Sequence, residues 1–306
     1  MGLLKNAYRG RFAPSPTGPL HFGSLVAATG SYLEARKQGG EWLLRIEDVD
    51  APRCSTSAAD DILRLLAAYG FEWDGQPVWQ SRRTEAYAAA LHRLKAAGQV
   101  FPCACTRREL ADSAIAPDGA AIYPGTCRTG LPPGREARAW RLRVGQAQIA
   151  FDDAIQGPIR SVLAHDAGDF VLRRADGLYA YQLAVVVDDA EAGITHVVRG
   201  ADLLLSTARQ IHLQGCLGVA TPAYAHLPVA VNAAGEKLSK QTLAMPLAAA
   251  RPVPSLIATL RFLGQSPPAG LMTMGVRDVW AWAIEHWRLD RVPRGPAVWS
   301  EPDGVA

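Results

Sequence analysis

The sequence has no apolar run approaching the roughly 18 residues a membrane span requires, and its start, Met1 to Gly10, has no apolar stretch long enough for a secretory leader. Lysine is scarce, at only five of the 32 basic residues. The resulting arginine excess suits phosphate and carboxylate recognition, although a GC-rich coding bias produces the same excess. Cysteine is limited to five residues. An odd count without a leader argues against a disulfide framework and fits a reduced, cytoplasmic compartment. Repeats and low-complexity tracts are absent. The net charge of +3 decides little. What remains is an ordinary globular balance, 306 residues with 49% hydrophobic and 20% charged. That suggests about two domains.

Strand character begins at Tyr8 to Ala13 and breaks in the turn-rich Pro14-Ser15-Pro16-Thr17-Gly18-Pro19. A helix is predicted from Gly23 or Ser24 to Lys37, stopped by Gly39-Gly40, and Glu41 to Ile46 reads as a second strand. Further helices are predicted over Asp60 to Ala68 and Thr84 to Ala97. Thr84 is expected to cap the latter, with Tyr87, Leu91 and Leu94 on one face and Gly98 ending it. From Phe101 to about Gly145, Cys, Pro and Gly clusters replace periodic runs, as in an insertion held by something other than a large apolar core. Order returns at Asp169 to Arg173, Tyr179 to Val187 and His196 to Arg199. A helix near Ser206 to Leu217 and a run at Ala225 to Val231 follow. Helices at Ser255 to Leu263 and Val276 to Trp287 precede a Pro-rich end. This alternation favours a parallel α/β sheet. Trp280 and Trp287, seven apart, read as a buried helix face rather than a base-stacking surface. Arg82-Arg83 and Arg107-Arg108 read as solvated pairs.

Three common site motifs are missing. There is no G-x-G-x-x-G and no H-E-x-x-H, and Gly18 to Ser24 has Ser24 where a Walker A loop needs lysine. In their place stands Arg11-Phe12-Ala13-Pro14-Ser15-Pro16-Thr17-Gly18-Pro19-Leu20-His21-Phe22-Gly23-Ser24. A strand feeds a Pro/Gly turn, and a helix begins right after a histidine. A helix N-terminus favours an anion, His21 can donate to a phosphate oxygen, and Gly23 lets a nucleotide approach the backbone. A second piece follows 200 residues later, Gly235-Glu236-Lys237-Leu238-Ser239-Lys240-Gln241. Alone, two lysines beside glycine make a solvated loop.

Together the two pieces resemble the paired signatures of class I aminoacyl-tRNA synthetases. His21-Phe22-Gly23-Ser24 corresponds to the HIGH-type motif and Lys237 to Gln241 to the KMSKS-type motif. Both depart from the consensus letters but keep the positions of the charges and the helix entry. Arg45-Ile46-Glu47-Asp48-Val49-Asp50 with Arg53, Tyr181 to Asp189, and Gly193 to Asp202 with Arg199-Gly200 are similar to the glutamyl and glutaminyl branch. The resemblance runs over most of residues 8 to 245.

It implies an α/β, Rossmann-type catalytic domain with its ligand at the carboxyl ends of the parallel strands. The two halves would span 1–100 and 169–245, with an insertion at 101–168 and a short helical C-terminal piece at 246–306. It also implies ATP with Mg²⁺, and L-glutamate. His21 and Lys240 would be catalytic, stabilising phosphate charge. ATP would lie against His21, Gly23, Ser24, Lys237, Ser239 and Lys240. Glutamate would lie against Arg11, Phe12, Ala13, Pro14, Ser15, Glu47, Tyr181 and Arg199. Independent chemistry agrees. An acidic amino acid needs one acceptor for its ammonium, which Glu47 supplies, and donors for two carboxylates. Arg11 and Arg199 can each pair with a carboxylate bidentately, and Ser15 and Tyr181 add hydroxyls. Which arginine takes which carboxylate stays open.

Few residues follow Lys240, and they include Pro252, Pro254, Pro267, Pro268, Pro293 and Pro296. That allows a small helical appendage, not an anticodon-binding region. In this the chain resembles a truncated relative of glutamyl-tRNA synthetase that activates glutamate without tRNA. That relative attaches glutamate to queuosine at the wobble position of tRNA(Asp). The resemblance thus implies a queuosine-bearing anticodon stem-loop as partner, no membrane partner, and a cytoplasmic enzyme expected to be a monomer. Two other readings remain open: ordinary 3′-end charging with a reduced tRNA interface, and a synthetase-like binding module without turnover. The joint presence of His21, Glu47, Arg199 and Lys240 argues against the module.

Cys103, Cys105 and Cys127 fall within 25 residues of one another, with no histidine between them. They can hold Zn²⁺ with a fourth ligand or form a cluster of buried free thiols. The resemblance implies zinc in a structural role, with Tyr123 or a water as fourth ligand. Cys54 and Cys216 have no partner in spacing and read as packing residues.

Overall fold

A computed structural model describes residues 8–231, 245–295 and 297–299. The chain opens with β1 (Arg9–Phe12), α1 (Phe22–Lys37) and β2 (Glu41–Ile46), and β1 pairs parallel with β2, Arg11 opposite Leu43. After α2 (Thr56–Ala68), the short β3 (Val78–Trp79) pairs parallel with β2. α3 (Thr84–Ala96) leads to β4 (Val100–Cys103) and β5 (Ala139–Leu142), then to a hairpin of β6 (Gln148–Asp153) and β7 (Gly157–Val162). Then come α4 (Leu163–Asp166), β8 (Phe170–Arg173), α5 (Tyr181–Glu191), β9 (His196–Gly200), α6 (Leu204–Leu217) and β10 (Ala223–Leu227). The chain closes with β11 (Val229–Val231), α7 (Pro252–Phe262), α8 (Val276–His286) and β12 (Ala297–Trp299).

β10 pairs parallel with β9. β9 in turn lies beside β1, where the Arg9 N–H donates to Thr195 Oγ1 and the Thr195 N–H donates to the Arg9 carbonyl, both at 2.9 Å. The parallel strands therefore run β3-β2-β1-β9-β10, and the winding reverses between β1 and β9. A crevice opens at such a switch point, at the carboxyl ends of the strands. Residues 101–168 contribute to two sheets: β4 and β5 join β8 in an antiparallel sheet, while β6 joins β10 through Asp153 and Tyr224.

α1 is buried along most of its length, from Leu25 to Ala35. It is enclosed because the sheet lies on one side and the C-terminal helices on the other. Gly30 permits the close approach, since a Cβ there would lie 2.5 Å from Leu227 Cδ1. Trp42, Tyr32, Phe71 and Trp280 form an aromatic core with ring centroids 4.9–5.5 Å apart. Trp280 and Trp287 are both buried as expected, but α8 ends at His286 and Trp287 follows it in non-helical backbone, so the two rings do not share one helix face. Two further local expectations fail. Thr84 does not cap α3: Arg83 holds the cap position, and the Thr84 hydroxyl turns back to the Ser81 carbonyl at 3.4 Å. α2 starts at Thr56 rather than Asp60, because Ser55 caps it by accepting from the Ala58 N–H at 3.4 Å.

Candidate active site

A cavity of about 590 Å³ lies at the β1/β9 switch point. Arg11 and Phe12 reach it from β1, and Ala13, Pro14 and Ser15 from the turn that follows. His21, Gly23 and Ser24 line it at the entrance to α1, Glu47 just past β2, Tyr181 at the start of α5, and Arg199 from β9. All the described residues that the sequence suggests for glutamate or ATP thus line one cavity. Asp202, Leu203 and Pro228 to Ala230 also line it and carried no assignment. Asp202 could have been found from the Arg199-Gly200-x-Asp202 string, whereas Pro228 to Ala230 give no chemical signal.

His21 stands at the N-cap of α1 in extended conformation, and its carbonyl accepts from the Leu25 N–H at 3.0 Å. The His21 side chain makes no capping hydrogen bond to this end, and the first turn has no acidic residue. The N–H donors of a helix's first turn have no partner within the helix, and here that turn edges the cavity. Lys237, Ser239 and Lys240 lie outside the described residues. Val229 and Ala230 of β11 line the cavity, and Pro246 bridges to His21, with the Leu247 N–H donating to the Leu20 carbonyl at 3.0 Å.

Behind the wall lies a buried charge network. Arg45 Nη1 donates to Asp189 Oδ1 at 2.5 Å and Nη2 to Glu47 Oε1 at 3.1 Å. Arg11 Nε donates to the same Asp189 oxygen at 3.2 Å. Asp188 accepts from Gln80 and Tyr87, each at 2.8 Å, and from Arg83 at 2.5 Å. Arg83, expected to be solvated, is therefore a structural partner of α5, pairing also with Glu191. Burial opposes the charge of Asp189, but Arg11 and Arg45 overcome it and hold its pKa below the ordinary value. Glu47 goes the other way: burial raises its pKa, and Arg45 and Arg11 offset only part of the rise.

Arg199 is held by several partners within the protein. Its Nε donates to His226 Nε2 at 3.1 Å, and its Nη2 to Thr207 Oγ1 and Gln210 Oε1, both at 2.8 Å. Tyr181 Oη lies 3.5 Å from Nη1. His226 Nδ1 lies 2.6 Å from Asp153 Oδ2. Burial lowers the His226 pKa; Asp153 opposes that fall and the Arg199 charge adds to it. The Nε edges of Arg11 and Arg199 are thus already engaged within the protein. A carboxylate in the cavity would have to meet the terminal nitrogens of these arginines.

A second cluster sits in the insertion. The Sγ atoms of Cys103, Cys105 and Cys127 lie within 4.8 Å of one another, with Cys105 and Cys127 at 3.7 Å. Tyr123 Oη is 3.5 Å from both Cys103 Sγ and Cys105 Sγ. A tetrahedral ion ~2.3 Å from each sulfur would set neighbouring sulfurs about 3.8 Å apart, so the cluster could hold a metal such as zinc. Around it lies only a small apolar group, chiefly Phe101, Ala104 and Tyr123. Cys54 and Cys216 are half-buried and lie outside this cluster. No helix among the described residues is long and apolar enough to cross a membrane.

Residues 7–251 match the family of class I tRNA synthetases (E and Q), catalytic domain. Among similar proteins, the glutamyl-Q tRNA(Asp) synthetase of Aromatoleum aromaticum is 66% identical over 287 residues, covering 94% of this chain and 91% of that protein. The protein of the same name from Dechloromonas aromatica is 66% identical over 95% of this chain and 97% of its own. Among solved structures, the glutamate-tRNA synthetase of Elizabethkingia anophelis superposes with a TM-score of 0.80 at 25% identity, over 98% of this chain and 69% of that one. The glutamate tRNA ligase of Elizabethkingia meningosepticum, solved in complex with its amino acid, gives the same TM-score of 0.80.

Proposed function

The chain belongs to the glutamyl-Q tRNA(Asp) synthetases, glutamate-activating ligases of class I; from that premise we propose a tRNA-independent activation of L-glutamate by ATP, followed by transfer to queuosine at the wobble position of tRNA(Asp). The observation that carries this reading is the set of residues that line one cavity. It joins an ammonium acceptor (Glu47), donors for two carboxylates (Arg11, Arg199) and the entrance of α1 with His21 at its N-cap.

In the first step the glutamate α-carboxylate attacks the α-phosphate of ATP. Glutamyl-adenylate forms and pyrophosphate leaves. The nucleophile is already anionic, so the protein's task is positioning and charge stabilisation. Glu47 receives the ammonium, while Ser15 and Tyr181 add hydroxyls beside Arg11 and Arg199. Phe12, Ala13 and Pro14 shape the wall. The first turn of α1, at Gly23 and Ser24, receives phosphate together with His21, and Lys237, Ser239 and Lys240 complete that shell. Mg²⁺ accompanies ATP. In the second step a hydroxyl of the queuosine cyclopentenediol attacks the activated carbonyl, and AMP leaves. Zn²⁺ held by Cys103, Cys105 and Cys127, with Tyr123 or a water as fourth ligand, would stiffen the insertion in place of a larger core. The enzyme is proposed to work as a cytoplasmic monomer on the anticodon stem-loop.

The test is transfer of labelled glutamate, with ATP, to total tRNA from a queuosine-making source and a queuosine-lacking one. Label confined to the first is the expected result. Equal label on both would mean 3′-end charging and overturn the transfer step.

A further inference from the structure

His226 lies on β10 directly opposite Arg199 of β9 in the parallel register, and it is 0% exposed. Its proton can be placed from geometry. Arginine has no acceptor, so Nε2, 3.1 Å from Arg199 Nε, carries the lone pair. Nδ1 then carries the hydrogen and donates to Asp153 Oδ2 at 2.6 Å. Asp153 is itself fixed, because its Oδ1 accepts from the N–H groups of Ile155, Gln156 and His226 at 2.9–3.1 Å. Thr207 and Gln210 hold Nη2 of Arg199, Tyr181 Oη lies 3.5 Å from Nη1, and Thr207 Oγ1 also lies 3.1 Å from His226 Nε2. Without His226 the guanidinium would keep its contacts at the two terminal nitrogens and lose its anchor at Nε.

We propose that His226 is a positioning residue for glutamate: its Nε2 fixes the Arg199 guanidinium in the orientation that receives a substrate carboxylate, and Asp153 fixes His226. The proposal rests on Arg199 being a glutamate ligand. His226 does not reach the cavity and takes no part in the chemistry. Its loss should therefore weaken glutamate without weakening ATP.

The test is ATP–pyrophosphate exchange by the full-length protein. His226→Asn keeps a group near the Nδ1 position and loses the acceptor at Nε2. It should raise half-saturating glutamate about tenfold, the equivalent of one charge-assisted hydrogen bond. The ATP requirement and the maximal rate should stay within about twofold. His226→Gln returns an acceptor near Nε2 and should restore the glutamate requirement. Asp153→Asn tests the relay without touching His226. Because Oδ1 must stay an oxygen for its three N–H donors, the new amide faces Nδ1 and drives the proton to Nε2, against Arg199. It should show the same selective loss, and it keeps the test alive should His226→Asn fail to fold. Equal effects of Asn and Gln at 226, a normal glutamate requirement in Asp153→Asn, or a parallel loss for both substrates would overturn the proposal. Arg199→Ala separates the two levels: if it leaves the glutamate requirement unchanged, the reading of the site itself fails.

Discussion

The indole N–H of Trp287 donates to Glu34 Oε2 at 2.7 Å, joining residues 253 apart in sequence. Glu34 belongs to the last turns of α1, whose first turn edges the cavity. The same carboxylate accepts from Gln38 at 3.1 Å. One helix is therefore braced at its far end by the C-terminal segment and presents its near end to the substrate.

This pairing makes the C-terminal piece a stability element. Trp287 is 2% exposed, so Trp287→Ala removes a large buried ring and should cost ~3–5 kcal/mol. Trp287→Phe keeps most of the ring but leaves the buried Glu34 carboxylate short of a donor, at a cost of about 1–3 kcal/mol. Urea denaturation of the three proteins should rank them wild type, Phe, Ala. An alanine variant within about 0.5 kcal/mol of wild type would show that the C-terminal segment does not brace α1.

Glu47 sets a pH dependence with a definite sign. Its pKa is raised by burial, so it takes up a proton at a higher pH than an ordinary carboxylate. As pH falls through that raised value the ammonium loses its charged acceptor, and half-saturating glutamate rises. As pH climbs the acceptor returns. Glu47→Gln should raise the requirement about 10–100-fold at neutral pH, the loss of a charged hydrogen bond. It should also flatten the acid-side rise. Parallel curves for the two proteins would remove Glu47 from the ammonium site.

What the sequence made legible follows from where the physics is local. The strand at Glu41 to Ile46 and the helix stop at Lys37 are written in neighbouring residues, and β2 and α1 keep those bounds. Arg11, Glu47, Tyr181 and Arg199 were singled out by the resemblance of their motifs, with chemistry that suits an acidic amino acid, and the fold brings all four to one cavity. The support behind them was not legible. Asp189 and Arg45 are 144 residues apart, and His226 and Asp153 are 73 apart. Nothing in either neighbourhood announces the other, because strand order and register create the pairing. Arg83 misled for the same reason: a lone arginine pair looks solvated until α5 brings Asp188 to it. The Thr84 cap failed because the chain turns one residue earlier, through a short 3₁₀ turn at Gln80–Arg82.

The cysteine cluster predicts one equivalent of zinc per chain, measurable by elemental analysis of protein purified without chelator. Stripping the metal, or Cys105→Ser, should lower the melting temperature by on the order of 5 °C or more, as loss of a structural ion in a weakly cored insertion should. Tyr123→Phe discriminates the fourth ligand: faster zinc loss to a chelator supports the phenol, and an unchanged rate supports a water. Metal-free protein with an unaltered melting curve would mean that the three thiols are simply buried.

His21 and Lys240 should act on the transition state rather than on glutamate. Both are assigned to phosphate, where negative charge builds as the α-carboxylate attacks and pyrophosphate leaves. Removing one preorganised donor to developing charge costs about 10²–10³ in rate. His21→Ala and Lys240→Ala should each slow adenylate formation by about that factor in single-turnover assays, while glutamate binding, followed by calorimetry, changes by less than about threefold. The contrast with Glu47→Gln and Arg199→Ala is the informative part, since those should move glutamate binding first. His21 also stands at the N-cap of α1 and bridges to Pro246, so His21→Asn supplies a control. Asparagine is a good N-cap residue and restores the helix entry without an imidazole. If His21→Asn regained most of the rate, His21 would serve the backbone; if it stayed as slow as alanine, the imidazole itself would serve the phosphate.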